Sequence, residues 1–175
     1  MSNRTKTYIA ADWTGDENAV EQMYKWNDSK YWGLSFVDAH DLTQARDDSL
    51  YCSIKTSLKK RLDVSKMFVL IVGNETKTLR KGSCQYCSDY NSGTKRCDRG
   101  YSVDYRSYIE YECEKALDAY YDGEMSIVIL YNAAAVDRTK CPDVIKNIGT
   151  HAKMQKIVDG KREWDYQSVK EAMGQ

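Results

Sequence analysis

The sequence predicts an α/β protein built on a parallel sheet of four or five strands, with helices on both faces. Two runs, Met67 to Val72 (MFVLIV) and Met125 to Tyr131 (MSIVILY), are apolar at nearly every position. Strands covered on both faces of a parallel sheet read that way. Amphipathic helical stretches alternate with these and other β-prone runs, and the handedness of strand-helix-strand crossovers then puts helices on both sides. The longest apolar runs, Met67 to Gly73 and Ser126 to Asn132, are far shorter than a bilayer span.

The elements follow in order. Thr7 to Ala11 (TYIAA) is β-prone and ends at Asp12, with Thr14-Gly15-Asp16 as turn chemistry. A helix comes next, with Ala19, Val20, Met23 and Trp26 along one side. Leu34 to Asp38 (LSFVD) reads as the second strand. Asp47, Asp48 and Ser49 offer caps and first-turn acids to a helix in which Leu50, Ile54, Leu58 and Leu62 recur every four residues. Lys55, Lys59, Lys60 and Arg61 lie elsewhere around it. Met67 to Val72 is the central strand, ended by Gly73-Asn74.

Residues 79–104 break the rhythm, with three cysteines, many charges and no periodicity. They read as a Cys-rich insertion within a single domain over residues 1–175. Order returns at Ser107-Tyr108-Ile109-Glu110, an S-x-x-E capping box. The helix it opens carries Ile109, Cys113, Ala116, Leu117 and Tyr120 on one stripe and stops at Asp122-Gly123. After the strand at 125–131, Pro142 opens a short helix over 143–148. Met154 to Val158 is expected as an edge strand before the Asp159-Gly160 turn, and a last helix runs from Asp165 to Met173.

Composition excludes some functions. Among 175 residues, 26 Lys and Arg balance 26 Asp and Glu. Nucleic-acid affinity rests on clustered excess cation, so no nucleic-acid partner is expected. Met1 to Thr7 is polar and basic with no apolar stretch behind it, so no signal peptide is visible. The expectation is a cytoplasmic protein with no membrane partner. Its only histidines, His40 and His151, exclude an HExxH site and multi-histidine metal centres. No GxGxxG and no GxxxxGK[ST] occurs, which disfavours a standard dinucleotide fold and a P-loop.

In parallel α/β sheets ligands gather at the carboxyl ends of the strands. Candidates are therefore sought in 12–15, 38–41, 73–76 and the start of the helix at 107. Glu112 borders the buried stripe one turn into that helix, so its carboxylate can be half-buried and still reach the cleft above the strands. The plain alternative is a solvated helix glutamate. Glu110 is accounted for by the capping box. Asp12 and Trp13 could hold a ribose hydroxyl and stack on a flat ring, or be a turn aspartate and a packed aromatic. Asp38, His40 and Asp41 end the second strand, where Asp41 could orient His40 or both be structural.

Cys84, Cys87 and Cys97 form C-x₂-C-x₉-C, and the first pair has the spacing that lets two thiolates reach one tetrahedral zinc. A fourth ligand could come from Asp89, Asp98 or Cys113, although the apolar stripe claims Cys113. The alternative is a flexible loop with free thiols. Cys52 and Cys141 read as ordinary buried thiols. Basic residues from Lys77 to Arg99 interleave with Tyr86, Tyr90 and Tyr101, diluted by Asp89, Asp98 and Asp104; a solvated loop accounts for them.

Laid end to end, the pieces resemble the TIR-like family, in the short bacterial branch found in Thoeris antiphage systems. Tyr8-Ile9-Ala10-Ala11-Asp12 through Asp16 resembles the family's opening strand and acidic turn. Phe36-Val37-Asp38-Ala39 resembles its second strand. Phe68 to Thr76 (FVLIVGNET) is similar to its V-L-I-G-x-x-T segment, and Tyr108-Ile109-Glu110-Tyr111-Glu112 to its aromatic-to-catalytic-glutamate segment. The resemblance spans roughly residues 6–131 and implies a flavodoxin-like fold.

Enzymes of the family cleave the nicotinamide N-glycosidic bond of NAD, and some cyclise the product into a signal that activates a partner effector. The resemblance carries Glu112 over as catalytic, with Ala11, Asp12, Trp13, Asp38, His40 and Tyr108 around the nucleotide. Ala11 stands where many relatives have serine. The family also implies self-association, while many TIR domains act only as docking modules. Other readings are nucleoside deoxyribosyltransferase-like catalysis, which also uses a glutamate on an α/β sheet, and a zinc-stapled nucleic-acid module.

Overall fold

The computed structural model describes residues 4–39 and 50–175. Its main sheet is four parallel strands: β1 (Lys6–Ala10), β2 (Ser65–Val72), β5 (Ser126–Tyr131) and β6 (Thr150–Lys153), in the order β1-β2-β5-β6. Between β2 and β5 lie a two-residue hairpin, β3 (Tyr90–Asn91) with β4 (Arg96–Cys97), and helix α3 (Tyr108–Tyr121). Helices α1 (Glu17–Asp28) and α2 (Tyr51–Asp63) precede β2. The chain closes with β7 (Gln155–Val158), β8 (Lys161–Trp164) and α4 (Tyr166–Ala172).

The sheet separates two apolar layers, so alternate residues of each strand feed opposite sides. Tyr8, Ala10, Phe68 and Leu70 pack on one face with Leu58 and Leu62 of α2 and Ile109, Cys113 and Ala116 of α3. Ile9, Ala11, Val69 and Ile71 pack on the other with Ala19, Val20, Met23 and Trp26 of α1 and Val169 of α4. The expected two-sided parallel sheet is what forms.

The second strand is a correction. Leu34 to Asp38 makes a single parallel bridge, Thr7 to Asp38. Thr7 N donates to Val37 O and Ala39 N to Thr7 O, and the ladder goes no further. Side chains take the neighbouring backbone groups instead: Asn27 Oδ1 accepts from Phe36 N, and Gln175 Oε1 from Ser35 N. Counting the bridge as a fifth position, the spatial order is 2-1-3-4-5, the flavodoxin-like order, with its switch point between β1 and β2.

Other expectations shift locally. The edge strand is β6 rather than 154–158; Gln155–Val158 turns off the sheet and pairs antiparallel with Lys161–Trp164. The turn between them is Asp159-Gly160 as expected, both with positive φ. Residues 143–148 make turns, with Ile145 N and Lys146 N both donating to Pro142 O, but no helix. On α2, Lys55 and Arg61, which lie off the leucine stripe, are buried as well. The caps read at Asp47, Asp48 and Ser49 lie outside the described residues. On α3 the buried arc is Ile109, Tyr111, Glu112, Cys113, Ala116 and Ala119, whereas Tyr120 of the expected stripe is exposed.

Candidate active site

Helix α3 begins with the reciprocal cap its sequence encodes. Glu110 N donates to Ser107 Oγ at 3.1 Å and Ser107 N donates to Glu110 Oε2 at 2.7 Å. Two of the helix's free amides are thereby satisfied. The cap fixes where the helix starts and hence which way Glu112 points. Because the buried arc is centred nearer Glu112 than the expected stripe, the residue lies inside it and not on its border. Only 7% of Glu112 is exposed.

The carboxylate faces the middle of β1. Tyr8 is fully buried, shares the α2/α3 side of the sheet, and donates its hydroxyl proton to Glu112 Oε1. Its ring stacks on Phe68 across the ladder at 5.8 Å. Arg61, also buried, adds a favourable positive charge. Burial dominates even so, and pushes the Glu112 carboxyl up to about 7, against the lowering effects of the Tyr8 bond and Arg61. The Tyr8 phenol is raised well above its ordinary value by burial and then by the neighbouring carboxylate, so it stays a proton donor.

The remaining candidates are spread around this pair. Ala11 packs in the opposite apolar layer, with α1. Asp12 is turned into its own loop, where its Oδ1 accepts from Thr14 N at 3.1 Å. Trp13 is 45% exposed. Asp38 accepts the hydroxyl of Tyr24 from α1 and acts electrostatically on Tyr8. His40 and Asp41 lie outside the described residues. Tyr108 stands one turn before Glu112, yet its ring meets Gly82 and sits 5.7 Å from the ring of Tyr51. Its buried hydroxyl has no hydrogen-bond partner. Structure thus joins Glu112 to Tyr8 and Arg61, with Asp38 nearby, and leaves Ala11, Asp12 and Trp13 at the strand end.

A second polar cluster, missed in the sequence, marks the carboxyl ends of β1, β2 and β5. Asp16 is buried and accepts from Asn132 Nδ2 at 2.9 Å, while Thr76 Oγ1 accepts from Gly73 N at 2.8 Å. Gln155 Nε2 donates to Asn132 Oδ1 at 2.9 Å. Burial raises the Asp16 carboxyl above its ordinary value. Asp16 could have been suspected from its place three residues before a helical stripe; Asn132 follows a strand with no local signal.

A cleft of about 460 Å³ runs beside the start of α3, between Thr76, Lys77, Arg80, Arg106, Glu110 and Glu114. Its cations are already paired: Lys77 with Asp143 at 2.9 Å, Arg80 with Glu110 at 3.4 Å, Arg106 with Glu114 at 2.6 Å. Glu112 is not among its lining residues.

Cys84, Cys87 and Cys97 line one small cavity, joined there by Cys52 and Asp89. Among the described residues, no three His, Cys, Asp or Glu side chains are arranged so as to hold a metal ion as they stand. Cys113 is buried in the core, as its stripe predicted. No described helix is long and apolar enough to cross a membrane.

A parallel sheet in this order, with a glutamate buried behind its first strand, defines a flavodoxin-like α/β protein. Residues 8–81 match the family described as Thoeris protein ThsB, TIR-like domain. The matched stretch is less than half of the chain, a similarity confined to its N-terminal part. It runs from β1 to the start of the insertion and ends before α3, so it does not reach Glu112. No curated protein matches the chain.

Proposed function

We propose that this TIR-like chain is a cytoplasmic NAD glycohydrolase or ADP-ribosyl cyclase, with Glu112 as its catalytic carboxylate. Its product would be a nucleotide signal read by a partner effector. The observation that carries the reading is the placement of Glu112: a buried carboxylate at the start of α3, oriented by Tyr8, beside the first strand of a parallel sheet.

The chemistry suits one such group. In NAD the nicotinamide nitrogen carries the positive charge. When its bond to the ribose carbon breaks, the electron pair stays on nitrogen, nicotinamide leaves neutral, and positive charge builds on the sugar. No acid is needed for the leaving group. A carboxylate that holds the ribose hydroxyls and faces the developing cation lowers the barrier, most effectively where water is excluded. In hydrolysis a water oxygen then bonds to the sugar carbon and the water proton is released. In cyclisation a nitrogen of the adenine attacks instead, and the product is a ring. A cationic substrate ring beside Glu112 also favours its ionised form, offsetting the effect of burial. Trp13, partly exposed just beyond β1, is the aromatic proposed to meet a flat ring of the substrate.

Purified protein is to be incubated with NAD over a concentration range that includes self-associated chain, with free nicotinamide followed by chromatography. The proposal expects nicotinamide release, and a loss of at least 100-fold in Glu112→Gln. Equal turnover in that variant removes the assigned role.

One observation favours a second reading. The Glu112 carboxylate is almost wholly covered and already holds the Tyr8 hydroxyl, as a purely structural pair would. The chain would then be a docking module that binds a partner or nucleotide without chemistry. It predicts a measurable complex and no nicotinamide release at any protein concentration.

A further inference from the structure

Four of the six cysteines converge from three separate stretches. Cys84 opens a single turn of 3₁₀ helix, Cys84–Tyr86, and Cys87 caps its far end, Cys87 N donating to Cys84 O at 2.9 Å. The chain then enters the β3–β4 hairpin, whose register pairs Tyr90 with Cys97. That pairing folds Cys97 back over the turn. Cys52 comes from the first turn of α2, more than thirty residues earlier.

All four thiol-bearing residues line one small, partly open apolar pocket of about 10 Å³, room for a single water-sized body. A water there would find few polar partners, because the wall is mostly apolar. A soft cation fits that donor set better, because thiolates favour zinc and similar ions. Cys84 Sγ accepts a hydrogen bond from Asp104 N at 3.3 Å, which fixes the sulfur toward the loop before α3. The carboxylate on the same wall, Asp89, is engaged with Arg99 at 3.2 Å. Cys113 and Cys141 are fully buried in the core, away from this wall.

We propose that Cys52, Cys84, Cys87 and Cys97 together bind one zinc ion, with Cys52 as the fourth ligand that staples the insertion to α2. The thiols do not stand in ligating positions in this structure. Binding requires the four sulfurs to close in around the ion, and each gives up its proton as its sulfur bonds the metal. The backbone of the insertion is built to allow it: a two-residue spacing fixes one pair, the hairpin register supplies the third thiol, and the helix the fourth.

The consequence reaches α3. The insertion meets that helix where Tyr108 N donates to Lys81 O at 2.9 Å and Gly82 presses on the Tyr108 ring. Gly82 has φ +99°, and any Cβ there would collide with that ring. From α2, Lys55 Nζ donates to Arg106 O at 2.6 Å, just before the cap. A metal joining α2 to the insertion would hold both sides of the α3 start. The inference does not depend on NAD chemistry.

The test uses the full chain, purified under reducing conditions, stripped with chelator and titrated with zinc and with cobalt. We expect one ion per chain by elemental analysis, and the strong visible absorption of tetrahedral cobalt bound by thiolates. Zinc should protect four cysteines from a maleimide reagent. Cys52→Ser should weaken zinc at least tenfold, Cys52→His should restore tetrahedral binding, and Cys141→Ser should change nothing. Circular dichroism checks that each variant is folded. No stoichiometric zinc in the wild-type chain, or unchanged affinity in folded Cys52→Ser, overturns the proposal.

Discussion

Glu112 is costly where it stands, and the cost has a sign that can be measured. An unfolded glutamate ionises near 4.5, whereas burial holds the folded one at about 7. Between those values the folded chain keeps a proton that the unfolded chain has released. Stability therefore falls as pH rises from about 4.5 to about 7, then levels off. The gap corresponds to roughly 3 kcal/mol for this residue. Glu112→Gln keeps the shape and removes the ionisation, so its melting temperature at pH 8 should exceed the wild type's by several degrees and match it near pH 4. Thermal melts of both proteins at the two pH values check this. Tyr8→Phe removes a bond that favours the ionised form. It should move the Glu112 titration upward, as read by carbon NMR of labelled glutamate. Glu112 was legible in the sequence because its angle from the helix stripe is local. Tyr8 and Arg61 were not, because they meet it only across three elements.

Helix α3 owes its start to one serine. Ser107→Ala removes the side-chain half of the capping box and should cost about 1 kcal/mol, read as a lower midpoint in urea denaturation. If Glu112 relies on that start for its aim, the variant should also lose some activity. The turn after β2 is equally constrained. A Cβ at position 73 would collide with both Asp16 carboxylate oxygens. Gly73→Ala should therefore break the Asp16–Asn132 contact and destabilise the protein, to a greater degree than the Ser107 change. The capping box, the two apolar strands and α1 could be read from sequence because each is written in adjacent residues. The second strand could not. Its backbone partners are taken by Asn27 and Gln175, and nothing in LSFVD reports a side chain 140 positions away.

The whole molecule is a switch-point architecture in which α2 and α3 cover one side of the sheet and α1 and α4 the other. Alternation along β1 decides the site: Tyr8 faces Glu112, while Ala11 faces α1. Composition and alternation of elements were enough to read the sheet class. They were not enough to read that the carboxyl ends of β1, β2 and β5 share the Asp16, Thr76 and Asn132 cluster, which depends on strand order. Nor did they reveal that Cys52 faces the insertion, since one thiol on a helix carries no address. The central claim is that the buried carboxylate of Glu112 acts on the ribose of NAD. Its most direct test is the pH dependence of kcat/KM for nicotinamide release, measured for the wild type and Glu112→Gln. The account predicts a wild-type rate that rises with pH through about 7 and a variant that stays at background. Release that is independent of pH and equal in the two proteins would contradict it.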